Sequence, residues 1–82
     1  MIFFVLDVET ANADLSSICQ MGIVAFQDKK IIETWKSLID PEDEFSQINI
    51  SIHGITKEKV AGAPIFPYIY ESLYSSLKDK LL

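Results

Sequence analysis

The pattern of apolar and polar residues in the first half of the chain predicts three β-strands. Residues 2–8 form an apolar run rich in β-formers, which is typical of a central strand covered on both faces. Residues 18–26 form a second run around Gly22, a residue that in a strand often marks close backbone approach or a bulge. Residues 28–30 are the predicted hairpin tip before a third, alternating strand over 31–39. The alternation places Ile32, Thr34, Lys36 and Leu38 on one face and Ile31, Glu33, Trp35, Ser37 and Ile39 on the other.

The second half of the chain predicts helices. Residues 40–49 are acidic and not periodic, so no regular element is predicted there. Thr56 is the predicted N-cap of a short helix over 57–60, which ends at Gly62. Two prolines then begin a longer helix with one apolar face. That face consists of Phe66, Ile69 or Tyr70, Leu73, Leu77 and Leu81. Antiparallel strands followed by helices indicate an α/β or α+β domain.

The composition limits the chain to one small domain. It has 82 residues, 49% of them hydrophobic, which excludes a disordered chain. No apolar run approaches the roughly 18–20 residues of a membrane span, and the apolar start lacks the basic leader of a signal peptide. One cysteine excludes an intramolecular disulfide framework and a multi-cysteine zinc site. A cytoplasmic setting without a membrane is therefore expected.

The charge balance does not favour nucleic acid as a partner. The net charge is −5, and the seven basic residues are all lysines scattered along the chain. Proteins that hold nucleic acid through its phosphates usually carry a basic patch. If the substrate is a polyanion, a bound divalent cation is therefore expected to bring the phosphates in.

Asp7 and Glu9 are the strongest candidates for chemistry. They stand two residues apart at the end of the first predicted strand, so both carboxylates are expected on the same face. Two ionised carboxylates held together repel each other unless a cation or a proton intervenes. Such pairs suit Mg²⁺ or Mn²⁺, which prefer carboxylate and water ligands. The alternative is a strand that ends in solvent with ordinary polar residues.

The residues around this pair resemble the first motif of the DEDD 3′→5′ exonucleases, in the branch of bacterial proofreading subunits and ribonuclease T. That motif is an apolar strand ending in Asp-x-Glu-Thr, and residues 4–10 read FVLDVET. Residues 18–26, which read ICQMGIVAF, are similar to the second strand of the family. Residues 52–56 read IHGIT and resemble its His-Gly-Ile-Thr segment. Pro64 and Phe66 resemble the start of the following helix.

The resemblance implies a ribonuclease-H-like α/β fold in which four acidic residues hold two divalent metal ions, Mg²⁺ or Mn²⁺. On this mapping Asp7 would bind both ions, and Glu9 would bind the ion that activates water. The substrate would be the 3′ end of single-stranded DNA or RNA. The positions that the resemblance places beside that end are Thr10, Ala11, His53 and Gly54.

The sequence also departs from the family pattern. The family has a third acid just after the long helix, and a His and a fourth Asp farther downstream. Residues 1–82 contain no match to these positions, so we expect them to be the N-terminal part of a single exonuclease domain and inactive alone. The alternative is a non-catalytic truncated homologue that acts as an interaction module. In either case residues 2–6 would form an exposed apolar sheet edge, which predicts self-association.

Four other residues or segments have open or simpler interpretations. His53 is either a structural histidine linked to a helix cap or a residue that lines the substrate, and it does not occupy the position of the family's general base. Cys19 is expected to be a small core residue, and Trp35 is expected to pack on its strand, the alternative being a platform on which bases stack. The acidic residues 40–44 lack the spacing of a calcium loop, which favours a solvated loop.

Overall fold

Three antiparallel strands and three helices make up the computed structural model, which describes the backbone of residues 1–81 and the side chains of residues 1–75. The sheet has the order β1-β2-β3, and both strand pairs are antiparallel. The strands are β1 (Ile2–Thr10), β2 (Ile18–Gln27) and β3 (Lys30–Leu38), and the helices are α1 (Gln47–His53), α2 (Lys57–Val60) and α3 (Phe66–Leu81). The three predicted strands and their antiparallel arrangement are confirmed.

The predicted hairpin tip is confirmed, and it is shorter than expected. Asp28 and Lys29 have φ angles of 52° and 70°, so both adopt the left-handed conformation of a two-residue hairpin turn. Lys30, the third residue of the predicted tip, already belongs to β3.

The strand pair β1–β2 contains an irregularity next to the acidic pair. Glu9 lies opposite Gln20, whereas Thr10 lies opposite Ile18. Cys19 is therefore one extra residue on β2, as in a β-bulge. The regular ladder of β1 ends at Glu9.

A second irregularity changes which face the start of β3 presents. Ala25 lies opposite Glu33, but Phe26 lies opposite Ile31, so Ile32 is an extra residue. The unbroken alternation predicted for β3 is therefore wrong at the start of the strand. The extra residue places Ile31 on the face opposite to the one predicted for it.

The prediction that the first strand is covered on both faces is wrong for the described chain. Within residues 1–81, β1 is an outer strand of the sheet and only β2 pairs with it. Phe3 is 49% exposed on one face of β1 and Leu6 is 61% exposed on the other, so neither face is covered along this strand. The exposed apolar edge expected at residues 2–6 is confirmed.

Two small hydrophobic clusters hold the helices to the sheet. Burial alternates along β2, where Cys19, Met21, Ile23 and Ala25 are buried. The first cluster contains Cys19, Ile55 and Val60, packed against Leu38, Phe45 and Ala63. The second contains Met21, Ile39 and Ile69, packed against Ile18, Trp35 and Leu73. Cys19 is confirmed as a core residue, and the predicted packing role of Trp35 is confirmed because this half-buried side chain contacts the second cluster.

Helix α1 was not predicted, because its buried and exposed sides reverse the usual pattern. Ile48 and Ile52 are 74% and 75% exposed, whereas the polar residues Asn49 and His53 are half-buried. A search for an apolar face of helical period therefore finds no inward side in this segment.

The ends of α1 carry conventional capping signals. Ser46 is the N-cap, and its hydroxyl oxygen accepts a hydrogen bond from the backbone N–H of Asn49 at 3.2 Å. Gly54 is the C-cap, with φ of 73°, and its N–H donates to the carbonyl oxygen of Ile50 at 2.7 Å. These two signals could have identified the helix despite its inverted polarity.

The remaining helices agree with most of the predictions. The hydroxyl oxygen of Thr56 accepts a hydrogen bond from the N–H of Lys59, as expected of the N-cap of α2. In α3 the buried position is Ile69 and not Tyr70, which is 60% exposed. Phe66 is 42% exposed, so its predicted place on the buried face is wrong. Leu77 and Leu81 lie outside the described side chains, and among the described helices none is long and apolar enough to cross a membrane.

Candidate active site

Strand β1 carries both candidate metal ligands. Asp7 and Glu9 lie within the strand, which extends to Thr10, and not beyond its end. Their α-carbons are separated by two strand steps, about 6.6 Å, and their side chains leave the same face of the sheet. Asp7 is exposed and Glu9 is half-buried. The pair is therefore open to solvent on one side.

The space beside Asp7 is open because its cross-strand neighbour has no side chain. Asp7 lies opposite Gly22, and Gly22 lies opposite Lys36 on β3. A Cβ atom built at Gly22 would meet only the carbonyl oxygen of Trp35, at 3.8 Å, which is an ordinary contact. Gly22 thus marks neither close backbone approach nor a bulge. The shallow groove at this place is lined in part by Val5, Asp7, Gln20, Val24, Thr34 and Lys36.

Burial and the charge of Glu9 both raise the pKa of the thiol of Cys19, the extra residue of the neighbouring bulge. Cys19 is fully buried, and this burial raises the pKa of its thiol above the usual value. The negative charge of the Glu9 carboxylate raises that pKa further. Since a nucleophilic cysteine requires a lowered pKa, Cys19 is a core residue and not a reactive one.

The carbonyl oxygen of Thr10 accepts two hydrogen bonds from α1. His53 Nε2 lies 2.8 Å from this oxygen, and Asn49 Nδ2 lies 3.0 Å from it. The other ring nitrogen of His53, Nδ1, accepts a hydrogen bond from the N–H of Ile55 at 2.9 Å. Because Nδ1 acts as an acceptor, the proton of the neutral ring lies on Nε2, which donates to Thr10.

This geometry bears on both interpretations of His53. Its two ring nitrogens are engaged within the chain, so the structural interpretation, a histidine linked to the helix end, is confirmed. Its role in lining a substrate, like that of the adjacent Gly54, stays a prediction. Gly54 is exposed at the end of α1, and its carbonyl oxygen accepts a hydrogen bond from Lys59 Nζ at 2.8 Å.

Ala11 is held at the centre of the loop after β1. Its side chain is fully buried, its N–H donates to the carbonyl oxygen of Ser17, and its own carbonyl oxygen accepts from the N–H of Ser46. The donor and acceptor atoms of both hydrogen bonds are 2.8 Å apart. Thr10 and Ala11 thus connect β1 with α1, and their contact with a substrate stays a prediction.

Asn49 is the residue at this site that the sequence did not identify. Its Nδ2 group lies within hydrogen-bonding distance of Thr10 Oγ1 and of the carbonyl oxygen of Asn12, both at 3.3 Å, as well as of the Thr10 carbonyl oxygen. Asn49 precedes His53 by one helical turn, so both side chains leave the same face of α1. A pair of hydrogen-bonding side chains at this spacing was the available signal.

The donor atoms present fit a divalent cation only in part. Among the described side chains, no group of three or more His, Cys, Asp or Glu residues is close enough to hold a metal ion. Asp7 and Glu9 supply two carboxylates, which are the oxygen donors that Mg²⁺ and Mn²⁺ prefer. The exposed side of the pair leaves room for water or further ligands.

The acidic loop does not form a competing site. Asp40 accepts a hydrogen bond from the N–H of Glu42 at 2.9 Å, and Asp43 accepts one from the N–H of Glu44 at 2.8 Å. Residues 42–44 are exposed. The predicted solvated loop is confirmed.

Comparison with known proteins identifies the family of the chain. The sequence model of the RNase_T family, described as exonuclease, matches residues 4–82. The chain belongs to this exonuclease family. The match includes both acidic residues of β1 and the segment around His53, so the resemblance to the DEDD exonucleases is confirmed.

Two relatives of the chain are much longer than the chain itself. A 3′-5′ exonuclease DinG of Staphylococcus epidermidis is 29% identical over 79 residues, which cover 94% of the chain and 9% of the relative. A DNA polymerase III of PolC type from Thermotoga petrophila is 40% identical over 58 residues, which cover 68% of the chain and 4% of the relative. The chain therefore corresponds to a small segment of each.

Solved structures confirm the ribonuclease-H-like fold. A full-length 3′-exonuclease superimposes with a TM-score of 0.83 at 24% identity, over 99% of this chain and 30% of the other. Exonuclease X, in complex with 5′ overhanging duplex DNA, superimposes with a TM-score of 0.77 at 28% identity, over 87% of this chain and 42% of the other.

Proposed function

We propose that the chain supplies the metal-binding strand of a 3′→5′ exonuclease that hydrolyses phosphodiester bonds at nucleic-acid ends. The observation that carries this proposal is the Asp7–Glu9 pair on one face of β1, open to solvent on one side and inside the region that matches the exonuclease family. Both side chains would hold divalent cations. When bound, two such ions supply a hydroxide nucleophile and stabilise the leaving oxygen.

The proposed substrate is the 3′ end of single-stranded DNA or RNA. The hydrogen bond between His53 and Thr10 supports this assignment because it holds the segment of His53 and Gly54 beside the residues that follow Glu9. Gly54 follows His53 and is exposed. The cations would also offset the net charge of −5 where a phosphate must approach.

We further propose that residues 1–82 are the N-terminal part of one exonuclease domain and are inactive alone. The coverage of 30% and 42% of the two solved chains supports the first point. The two carboxylates are an incomplete ligand set for two ions, which supports the second. Metal-dependent trimming of a single-stranded substrate by this chain, abolished by Asp7→Ala, would overturn the proposed inactivity.

Binding of a nucleoside 5′-monophosphate in the presence of Mg²⁺ tests the substrate site. We expect the amide NMR signals of Thr10, Ala11 and Gly54 to shift when Mg²⁺ and the nucleotide are added together. The unphosphorylated nucleoside should have a smaller effect, since the cation recognises the phosphate. The same shifts without Mg²⁺, or in the Asp7→Asn variant, would contradict the proposed site.

The interaction-module alternative has its own supporting observation, the free edge of β1. We propose that a second copy of this chain pairs with that edge. If two β1 strands pair antiparallel about Val5, Phe4 lies opposite Leu6 and Ile2 lies opposite Val8, so apolar residues meet on one face. The same register keeps the two Asp7 carboxylates from lying opposite each other.

A further inference from the structure

The carbonyl oxygen of Thr10 is held by two donors from a single helix. Asn49 Nδ2 lies 3.0 Å and His53 Nε2 lies 2.8 Å from this oxygen. A carbonyl oxygen has two lone pairs, so these donors fill its hydrogen-bonding capacity. The two side chains stand one turn apart in α1, and they are separated from Thr10 by 39 and 43 positions in the sequence. They therefore join two distant segments at one backbone atom.

Both donors are themselves fixed by other hydrogen bonds. The side chain of Asn49 accepts from the hydroxyl of Ser46, the N-cap of α1. His53 is held by the N–H of Ile55, which donates to Nδ1 at 2.9 Å and leaves the proton on Nε2. Each donor is thus oriented towards Thr10 by a second hydrogen bond.

The atom that they hold lies at an irregularity of the sheet, one residue after Glu9. The register between β1 and β2 shifts between Glu9 and Thr10, with Cys19 as the extra residue. A bulge disrupts the ladder locally and re-aims the neighbouring side chain. The hydrogen bonds from α1 to Thr10 supply a constraint at this point.

We propose that Asn49 and His53 are positioning residues that hold the end of β1 so that the Glu9 carboxylate stays beside Asp7 for a divalent cation. This inference rests on the proposed metal site. It also explains why two polar side chains of α1, Asn49 and His53, are half-buried while Ile48 and Ile52 are exposed. The amide is uncharged, and so is the imidazole with its proton on Nε2. They therefore fix the backbone without adding a positive charge that would repel the cation.

Mn²⁺ affinity of the 82-residue chain tests the positioning role independently of nuclease activity. The readout is the Mn²⁺ concentration that half-broadens the NMR signals of Asp7 and Glu9. Loss of a residue that orients a metal ligand typically weakens metal binding by about 10- to 100-fold, so we expect roughly tenfold weaker binding in Asn49→Asp. The matched control is Asn12→Asp, which makes the same charge change but loses a hydrogen bond to the Glu44 carbonyl instead.

A pair of His53 variants provides the second comparison. Glutamine can place an N–H donor near the position of Nε2, whereas alanine cannot. We therefore expect His53→Ala to weaken Mn²⁺ binding and His53→Gln to restore most of it. This comparison decides the matter if the Asn49 variant does not fold. In the unaltered chain, the imidazole nitrogen shifts should show the proton on Nε2.

Three results would overturn the inference. If Asn49→Asp binds Mn²⁺ as well as Asn12→Asp does, the residue does not position the ligands, and the proposed metal site still stands. If the His53 proton lies on Nδ1, the hydrogen bond to Thr10 is not formed as described. If the unaltered chain shows no broadening at Asp7 and Glu9, the metal site fails, and the positioning role fails with it.

Discussion

Glu9 and Thr10 divide two tasks between neighbouring residues of β1. The side chain of Glu9 is available to a cation, whereas the backbone carbonyl of Thr10 is occupied by α1. The bulge at Cys19 separates the regular ladder from this anchored segment. The proposed metal site therefore requires that α1 hold the backbone at Thr10 in addition to the two carboxylates.

Two glycines of this region should respond differently to substitution. Gly54 has φ of 73°, where an L-residue is strained, so Gly54→Ala should lower the free energy of unfolding by about 1 kcal/mol. Gly22→Ala is the matched control, since a Cβ there makes only an ordinary contact at 3.8 Å. Urea unfolding of both variants measures the difference. Equal losses would contradict the assigned conformation of Gly54.

Cys19 predicts a pH dependence of stability. Burial, followed by the charge of Glu9, raises the pKa of the native thiol, whereas the unfolded thiol ionises near the usual pKa of about 8.5. The unfolded state therefore loses its proton first, and the contribution of Cys19 to stability declines as the pH rises above that value. Urea unfolding at neutral and alkaline pH should show a smaller alkaline decline in Cys19→Ala. An identical decline in both proteins would contradict this account.

At the scale of elements, α1 and the segment after it make different kinds of contact with the sheet. Helix α1 directs the polar groups of Asn49 and His53 towards β1, whereas Ile48 and Ile52 face solvent. The apolar contacts come from the next segment, where Ile55 and Val60 pack with Cys19. The helix is thus held by hydrogen bonds and by its neighbours in the chain.

Matched isoleucine substitutions test this division. Ile55 is 6% exposed, so Ile55→Ala should lower the free energy of unfolding by roughly 2–5 kcal/mol. Ile52 is 75% exposed, and Ile52→Ala should change it by less than about 0.5 kcal/mol. Thermal or urea unfolding gives both values. A large loss at Ile52 would show that α1 buries its apolar side.

The elements also show what the sequence could and could not predict. The strands and the carboxylate pair were predictable because residue alternation and the Asp-x-Glu pattern are local signals. Helix α1 and Asn49 were not predicted, because a short helix with an inward polar face has no apolar periodicity. The bulges at Cys19 and Ile32 depend on pairing between strands, which no local pattern of one strand contains.

At the scale of the whole molecule, β1 has two exposed features that differ in chemistry. Its apolar residues Phe3, Val5, Leu6 and Val8 are between 39% and 61% exposed. Asp7 lies among them and is also exposed. An unpaired apolar strand edge readily pairs with another chain, whereas the acidic pair favours a cation.

The self-association proposal has a direct test. Leu6→Lys places a charge on the free edge of β1 and should shift an assembly of two or more chains towards the monomer, as measured by light scattering. Leu15→Lys is the matched control, since Leu15 is 83% exposed in the loop outside the strand. A monomeric unaltered chain, or equal effects of the two substitutions, would contradict pairing through β1.

The central claim is that Asp7 and Glu9 form a divalent-cation site of the exonuclease type. Paramagnetic broadening by Mn²⁺ in NMR spectra tests it most directly. We expect Mn²⁺ to broaden the signals of Asp7 and Glu9 first, and Asp7→Asn to reduce this effect. The matched substitution Asp28→Asn, in the hairpin turn, should leave it unchanged. Broadening that begins elsewhere, or that survives Asp7→Asn, would contradict the claim.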